Sequence, residues 1–371
     1  MKNSFGTSVT LTLFGESHGP MLGAVLDGLA PGLELDEGFI ARQLGLRRPA
    51  GRISTARREA DEFQIVSGLF EGHTTGTPLT ILIPNADARS RDYAATRALP
   101  RPGHADYTAY MKYHGFEDYR GGGHFSGRVT AALVTAGAVC IQALRTRGIW
   151  IGTHVARCAG IADRDFGADW KADFALLENE AFAVLDPAAG EAMRTAIEAA
   201  ARDGDSVGGV LETAVLGLPA GVGEPWFDTL EGLLAHGLFS IPAVKGVEFG
   251  AGFGLSELRG SAANDAFFMD GDTVRTCTNH NGGINGGISN GMPLLYRCAV
   301  KPTPSIYKTQ QTVDMLRGTD AELSLRGRHD PAIVHRARVV VDSVSALVLC
   351  DALALRYGTD WLARQEAEGR R

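Results

Sequence analysis

The sequence has little or none of several features that define other classes of protein. It contains five cysteines, an odd number, and no two of them form a CxxC pair. A disulfide framework or a structural metal site is therefore not expected. No apolar run reaches the 18 residues that a membrane-spanning helix needs, and the first apolar stretch is interrupted by Thr10 and Thr12, unlike a signal peptide. These absences predict a cytoplasmic protein without metal or membrane.

Lysine is scarce, and the net charge is negative. Only six of the 36 basic residues are Lys, and the formal net charge is −7. A negative chain argues against broad binding to nucleic acids or membrane surfaces. A GC-rich coding sequence explains the general excess of Arg. Local Arg clusters still merit attention, because the planar guanidinium binds phosphate and carboxylate through two N–H groups at once.

The composition is that of a globular protein with a large core. Of the 371 residues, 44% are hydrophobic and 21% are charged, which excludes global disorder. Alternating or β-prone apolar runs predict strands. The predicted strands span residues 8–14, 78–83, 149–155, 209–216, 294–300 and 337–341. No Pro/Ser-rich linker divides the chain, so we predict one domain over residues 1–371.

Four helices are predicted, and two of them are unusually apolar. Asp186 and Pro187 are typical of the start of a helix that runs to Arg202, and a shorter helix over 226–236 ends at Gly237. The segments 127–147 and 343–356 are apolar on nearly all sides, which is typical of helices in a protein interior. We therefore predict an α+β fold with a helical centre sandwiched between antiparallel β-sheets. The polar stretch 163–204 is predicted to be a surface insertion.

Two histidines lie in glycine-containing loops. His18 lies in GESHG (15–19), directly after a predicted strand, where glycines allow backbone to approach a ligand. His104 lies in RPGHAD (101–106), flanked by a cation and a carboxylate. Histidine titrates near neutral pH and can transfer a proton, so both are candidate acids or bases. Each could instead be a structural hydrogen-bonding residue, and the residues alone leave that alternative open.

Arginine is concentrated in two segments. Five Arg lie between residues 47 and 58, interrupted by Pro49 and Gly51, so they cannot share one helix face. This segment is either a solvated loop or a lid that clamps an anionic substrate. In RGGGHFSGR (120–128), three glycines precede a helix N-terminus, whose exposed N–H groups can hold an anion. The P-loop and dinucleotide-binding spacings are absent.

The C-terminal half carries three further loop motifs. Residues 281–293 contain five Gly and three Asn, which indicates either a flexible loop or a backbone-lined pocket for a flat ligand. KPTPS (301–305) combines a cation, two hydroxyls and rigid prolines, a set suited to a phosphate group. In RGRHDP (326–331), Asp330 has cationic neighbours that favour its ionised form, and Pro331 stiffens the segment.

Taken in order, these loops resemble those of the chorismate synthase family. The similar segments are GESHG, RPGHAD, YRGGG, SIPAVKGVEFG (240–250), GGISNGMP, KPTPSI and GRHDP, which together extend from residue 15 to residue 331. The resemblance implies a single large domain with a helical centre between antiparallel sheets, a homotetramer and FMN as cofactor. It implies an anti 1,4-elimination that converts 5-enolpyruvylshikimate 3-phosphate to chorismate and phosphate. That reaction is the last step of the shikimate pathway to aromatic amino acids, and it needs reduced FMN (FMNH2) without net redox change.

The resemblance also implies roles for individual residues. His18 would protonate reduced flavin, His104 would assist the departing phosphate, and Asp330 would help the flavin act as the base. Residues implied to hold the substrate are Ser17, Arg47, Arg48, Arg52 and Arg128. Residues implied to hold FMN are His124, Phe125, Ser126, Pro242, Ala243, Gly286, Lys301, Pro302, Thr303, Pro304, Ser305 and Arg328. Many family members carry Arg and Ser where this chain has His124 and Phe125.

Reduced FMN is expected to come from elsewhere. A chain of 371 residues has little room for a reductase module, so we expect an external flavin reductase, with NADP as the associated nucleotide. Two other functions stay open. A flavin oxidoreductase acting on a phosphorylated metabolite would consume NAD(P)H in proportion to product. A non-catalytic protein that binds a phosphorylated metabolite would not need His18 or His104.

Overall fold

The computed structural model of the chain describes residues 2–49, 51–54, 61–85, 97–325, 327 and 329–363. Its strands are β1 (Ser4–Phe5), β2 (Thr10–Gly15), β3 (Met21–Asp27), β4 (Gln64–Ser67), β5 (Leu69–Phe70), β6 (His73–Thr74), β7 (Leu79–Pro84), β8 (Trp150–Cys158), β9 (Ile161–Ala162), β10 (Gly209–Leu216), β11 (Val244–Phe249), β12 (Phe267–Asp270), β13 (Thr273–Thr276), β14 (Ile284–Asn285), β15 (Ile288–Ser289), β16 (Leu294–Val300), β17 (Gln310–Asp314) and β18 (Thr319–Leu323). Its α-helices are α1 (Glu37–Leu46), α2 (Asp106–Tyr113), α3 (Thr130–Arg145), α4 (Trp170–Leu177), α5 (Pro187–Arg202), α6 (Leu230–Ser240), α7 (Gly260–Ala263) and α8 (Val334–Tyr357).

Two antiparallel sheets enclose a pair of buried helices. The first sheet has the order β1-β2-β3-β7-β4 and the second has the order β11-β16-β10-β8-β9. Helix α3 packs against the first sheet, helix α8 packs against the second, and the two helices pack on each other. A Cβ at Gly137 of α3 would lie 2.2 Å from the Ser343 Cβ of α8, so this glycine permits the close contact. The predicted α+β architecture with a helical centre is confirmed.

Five of the six predicted strands are present, and the sixth prediction is wrong. Strands β2, β7, β8, β10 and β16 lie where alternation and apolar runs placed them. The segment 337–341 instead belongs to α8. Its run of three valines favours a strand when it is considered alone. Here α8 is covered on nearly all sides from Val334 to Ala354, and burial against both helix and sheet overrides the local propensity.

The predicted helices are present, with one displaced. Helix α5 spans Pro187–Arg202, and Asp186 caps it by accepting a hydrogen bond from the Ala188 N–H. Helix α6 begins only at Leu230 and continues through Gly237 to Ser240, so the predicted end at Gly237 is wrong. A Cβ at Gly237 would lie 2.8 Å from the Val344 side chain. This glycine therefore serves close packing on α8 and does not terminate its helix.

One segment of the described chain, Gly127–Arg145, has the length and composition of a membrane span. Its mean hydropathy is 1.4, and 83% of it is buried inside the protein. It comprises α3 and the turn before it. Burial between the sheets accounts for its apolar composition, as expected of a core helix.

Candidate active site

A cleft of about 1740 Å³ opens beside the N-terminal ends of α3 and α8. Its walls come from the loop after β2, the loop before α2, the glycine turn before α3, and the segments after α6, β16 and β18. The predicted site residues that line it are His18, Arg47, His104, His124, Phe125, Ser126, Arg128, Pro242, Ala243, Lys301, Thr303, Pro304, Ser305 and Asp330. The fold therefore brings together most of the residues that are far apart in sequence.

The glycine turn Gly121–Gly123 separates the two candidate histidines. All three glycines have positive φ, at 60°, 85° and 53°, a conformation that other residues rarely adopt. A Cβ at Gly121 would lie 2.6 Å from the His18 ring, and a Cβ at Gly122 would lie 3.1 Å from the His104 ring. Two neighbouring glycines thus contact one histidine each. Only residues without side chains leave room for both rings.

His104 belongs to a compact charged network. Its Nδ1 lies 2.7 Å from Asp106 Oδ1, and Arg101 donates to both oxygens of the same carboxylate, from Nε at 2.7 Å and from Nη2 at 2.8 Å. Burial by itself would raise the pKa of Asp106. Hydrogen bonds and charge from Arg101 and His104 outweigh burial and hold that pKa far below its usual value. Asp106 is therefore a carboxylate at neutral pH.

The segment after β16 packs against this network. Lys301 Nζ donates to the Gly103 carbonyl oxygen, and Arg101 Nη1 lies 3.4 Å from Ser305 Oγ. Thr303 Oγ1 is buried in the same wall and has no hydrogen-bond partner among the described residues. A buried hydroxyl without a hydrogen-bond partner destabilises the folded protein unless a ligand supplies that partner. The wall around Thr303 therefore suits a polar ligand.

Arg47 and Arg128 both bind one buried aspartate that the sequence analysis did not single out. Arg47 Nη1 lies 3.3 Å from Asp61 Oδ2, and Arg128 Nη1 donates to Asp61 Oδ1. The Asp61 side chain is fully buried. No pattern in the sequence distinguishes Asp61, apart from its closeness to the Arg-rich segment. Its positive φ of 47° is visible only in the structure.

Arg47 is more strongly fixed than a mobile lid residue would be. Its Nε donates to Thr130 Oγ1 at 3.0 Å and its Nη2 donates to the Gly127 carbonyl oxygen at 3.2 Å. Its side chain is 4% exposed. These contacts tie the base of the predicted lid to the start of α3. Arg47 therefore lines the cleft as part of its frame.

Asp330 is held by Arg336, an arginine that the sequence analysis missed. Arg336, in the first turn of α8, donates to Asp330 Oδ2 and, from Nε, to the Arg47 carbonyl oxygen at 2.8 Å. Both side chains are mostly buried. Arg336 thus links the Asp330 segment to the base of the Arg-rich loop. The run of apolar residues around it hides this role in the sequence.

The His124-Phe125-Ser126 segment leads into α3. His124 Nδ1 donates to the Gly15 carbonyl oxygen at 2.8 Å, which leaves Nε2 as the acceptor in the neutral ring. Phe125 packs edge-on against Tyr113 with centroids 6.0 Å apart. Ser126 Oγ accepts from the Arg128 N–H at 3.2 Å, as an N-cap does. The exposed N–H groups of this helix end can favour an anion in the cleft.

Four predicted residues do not line the cleft, and two fall outside what is described. Ser17 is buried, and its N–H donates to the Gly123 carbonyl oxygen at 3.0 Å, so it supports the glycine turn. Arg48 and Pro302 are not among the lining residues. Gly286 lies in the β14–β15 hairpin, also outside this cleft. The Arg52 side chain and Arg328 lie outside the described residues.

The cleft combines acid–base groups with fixed positive charge. The imidazoles of His104 and His18 are groups that can donate or accept a proton. Arg128, Lys301 and the N-terminal end of α3 supply the positive potential that stabilises a departing anion such as phosphate. The described residues contain no cluster of His, Cys, Asp and Glu that could hold a metal ion. The arrangement suits an elimination that releases an anion.

Comparisons with known proteins show which family this chain is similar to. The family model described as chorismate synthase matches residues 9–354. A chorismate synthase from Dehalococcoides mccartyi is 48% identical over 360 residues, covering 96% of this chain and 98% of the relative. One from Thermococcus kodakarensis is 45% identical, covering 97% of this chain and 99% of the relative. A chorismate synthase crystal structure aligns with a TM-score of 0.76 and 30% identity, covering 96% of this chain and 94% of that one.

Proposed function

Because the chain belongs to the chorismate synthase family, we propose that the cleft beside α3 and α8 is its active site. The enzyme is a carbon–oxygen lyase that acts on a phosphate. It converts 5-enolpyruvylshikimate 3-phosphate to chorismate and phosphate, the last step of the shikimate pathway. The observation that carries the site assignment is the glycine turn with His18 against one glycine and His104 against the next.

The cleft walls are suited to a flavin. The partnerless, buried Thr303 Oγ1 indicates a polar ligand at the wall formed by Lys301, Pro304 and Ser305. Phe125, Val340 and Leu347 supply apolar surface for a flat ring system. We assign these residues, with His124, Ser126, Pro242 and Ala243, to FMN. Reduced FMN, when bound, supplies the electron-rich partner that loss of an unactivated C–H proton requires and that side chains lack.

Four side chains supply the proton transfer, charge stabilisation and hydrogen bonding that the reaction also needs. His104, with Nδ1 held by Asp106, supplies a proton from Nε2 to the departing phosphate. Arg128, fixed by Asp61, stabilises the negative charge that develops on that phosphate. His18, whose ring lies against Gly121, is the second group that can donate a proton. Asp330, held by Arg336, presents a carboxylate that can accept a hydrogen bond from the bound cofactor.

The assembly state, the source of electrons and the cellular location are part of the same proposal. Large apolar side chains lie exposed outside the cleft, including Phe253, Phe267 and Met269 at 84%, 67% and 63% exposure. Such a surface supports association of copies into a homotetramer. Reduced FMN is supplied by an external, NADP-linked flavin reductase activity. All five cysteines lie in the described residues without disulfides, which supports a cytoplasmic enzyme.

The proposed function is tested by comparing oxidised with reduced FMN under anaerobic conditions. Purified enzyme with 5-enolpyruvylshikimate 3-phosphate and FMN reduced by dithionite should release chorismate and phosphate in equal amounts. Oxidised FMN with NADPH should give no product until a flavin reductase is added. Equal rates with oxidised FMN would contradict the need for reduced flavin. Light scattering of the same preparation should give four times the chain mass of 39.4 kDa.

A further inference from the structure

The hydrogen bond between His104 and Asp106 determines which His104 ring nitrogen carries the proton. The Nδ1···Oδ1 distance is 2.7 Å. Arg101 Nη2 also lies 3.1 Å from Nδ1, so two arrangements compete for that nitrogen. If Arg101 donated to an unprotonated Nδ1, the ring lone pair would face a carboxylate oxygen at 2.7 Å, which is repulsive. Nδ1 therefore carries a hydrogen and donates it to Asp106.

The carboxylate itself is fixed from several directions. Arg101 donates from Nε, from Nη2 and from its backbone N–H at 3.0 Å. Asp106 is also the first residue of α2, where the helix dipole favours a negative charge. Because each of these contacts favours the ionised form, Asp106 offers His104 a carboxylate of fixed orientation. The rotation of the imidazole is thereby restricted.

The second ring nitrogen is then directed at the reaction space. His104 Nε2 makes no hydrogen bond with any described residue, and it lies 3.4 Å from where a Cβ on Gly122 would be. Both His104 and Gly122 line the cleft. A group that donates a proton must have its donor nitrogen exposed to the acceptor, with the other nitrogen occupied. The observed orientation meets that requirement.

We propose that Asp106 is a positioning residue for the elimination: it fixes the tautomer and orientation of His104 and stabilises the imidazolium that delivers the proton to the departing phosphate. This inference rests on the function proposed above. Asp106 does not act on the substrate itself, so its effect passes entirely through His104. If Asp106 served only to begin α2, its replacement would not act through His104.

The test combines the isosteric variant Asp106→Asn with a double-mutant cycle. Asp106→Asn should lower kcat by about 10²-fold, because the amide can present an N–H to Nδ1 and so select the wrong tautomer. KM should change less than threefold. The pH–rate limb that disappears in His104→Gln should move to lower pH in Asp106→Asn, because the imidazolium loses its anionic neighbour. In the His104→Gln background, Asp106→Asn should cost less than threefold.

A spectroscopic readout makes the result independent of turnover. In ¹⁵N-histidine spectra of the protein without flavin, the neutral His104 ring should carry its hydrogen on Nδ1, with the signal assigned by its loss in His104→Gln. Asp106→Asn should shift that ring toward the Nε2–H form. The matched control is Glu37→Gln, which removes an exposed first-turn carboxylate from α1. It should change neither the spectrum nor kcat.

The outcomes separate this inference from the proposed function. Wild-type enzyme that releases no chorismate with reduced FMN would overturn the proposed function. Wild-type turnover with an unmoved pH limb in Asp106→Asn, or an equal cost of that change in the His104→Gln background, would overturn the positioning role alone. An Asp106→Asn protein that does not fold would also overturn it, since the carboxylate would then serve the fold.

Discussion

Two histidines in this molecule bind an aspartate in nearly the same way, one in the cleft and one on the far side of the second sheet. His104 Nδ1 lies 2.7 Å from Asp106, and His154 Nδ1 lies 2.8 Å from Asp163. The surroundings of the other ring nitrogen differ. His154 Nε2 lies 3.2 Å from Glu212 Oε2, and its side chain is 1% exposed. His104 Nε2 faces the cleft.

The contacts of the second ring nitrogen, and not the presence of an aspartate, distinguish the catalytic histidine from the structural one. Burial alone would lower the pKa of His154, but the hydrogen bonds that its ring donates to Asp163 and Glu212, with the charges of those carboxylates, outweigh burial and raise that pKa. Asp163 also accepts the N–H groups of Leu185 and Asp186. Through Asp163, His154 thus links residues 163–186, which include α4, to the second sheet. With both nitrogens occupied, it cannot exchange protons with a substrate.

The largest expected effect is the difference in turnover between the two histidine variants. His104→Gln should lower kcat by ~10²–10⁴-fold, the usual contribution of an acid–base group. His154→Gln should leave kcat within twofold of wild type. Both rates are measured anaerobically at saturating reduced FMN, with FMN affinity determined separately. Comparable losses in the two variants would contradict a catalytic role for His104 that His154 lacks.

For the free energy of unfolding, the large effect is expected in His154→Gln. His154→Gln should lower the free energy of unfolding at pH 6 by roughly 3 kcal/mol, because it leaves two carboxylates beside a neutral side chain. His154 has a raised pKa in the folded protein. Its stabilisation is therefore complete below its unfolded pKa of about 6.5 and is lost as pH rises through the folded value.

Urea unfolding of wild type from pH 6 to pH 9 should show that loss of stability, and His154→Gln should lack it. The control His73→Gln replaces an exposed histidine of β6 and should behave as wild type. A pH dependence that is unchanged in His154→Gln would assign the titration to another group.

A smaller effect on rate is expected at the glycine turn. Gly121→Ala should lower kcat roughly 10²-fold, because the new Cβ displaces the His18 ring. Gly271→Ala is the matched control: its φ of 61° is nearly the 60° of Gly121, but a Cβ there would have no neighbour within 4 Å. Steady-state kinetics of both variants separate backbone strain from displacement of the histidine. Equal rates would rule out a role for the contact with His18.

The smallest expected effect concerns His124, which uses one of its two ring nitrogens in a hydrogen bond to the protein. Because Nδ1 donates to the Gly15 carbonyl oxygen, Nε2 is the ring nitrogen that remains to bind a ligand at the assigned flavin site. FMN affinity at a single pH should therefore be several-fold lower in His124→Ala than in wild type, the usual contribution of one hydrogen bond. Fluorescence titration gives both values. If Phe125→Ala also binds FMN as wild type does, this segment is not part of the flavin site.

The sequence predicted the architecture and most of the cleft, but not the network that supports it. The apolar run at 209–216 located β10, the start signal at Asp186 and Pro187 located α5, and the family motifs located His18 and His104. The valine run at 337–341 was misassigned because its neighbours in space, which decide between strand and helix, are distant in sequence. Asp61 and Arg336 were missed for the same reason. Asp61 binds Arg128 and Arg336 binds the Arg47 carbonyl oxygen, and only the fold brings these pairs together.

The stoichiometry of flavin oxidation tests the central claim most directly. Under the proposed function, side chains in the cleft transfer protons and stabilise the departing phosphate, while the reduced flavin undergoes no net oxidation. Chorismate and the flavin absorbance are followed together, without oxygen, over many turnovers at limiting reduced FMN. We predict many chorismates per flavin, with the absorbance of reduced FMN restored at the end. One flavin oxidised for each chorismate formed would contradict the elimination.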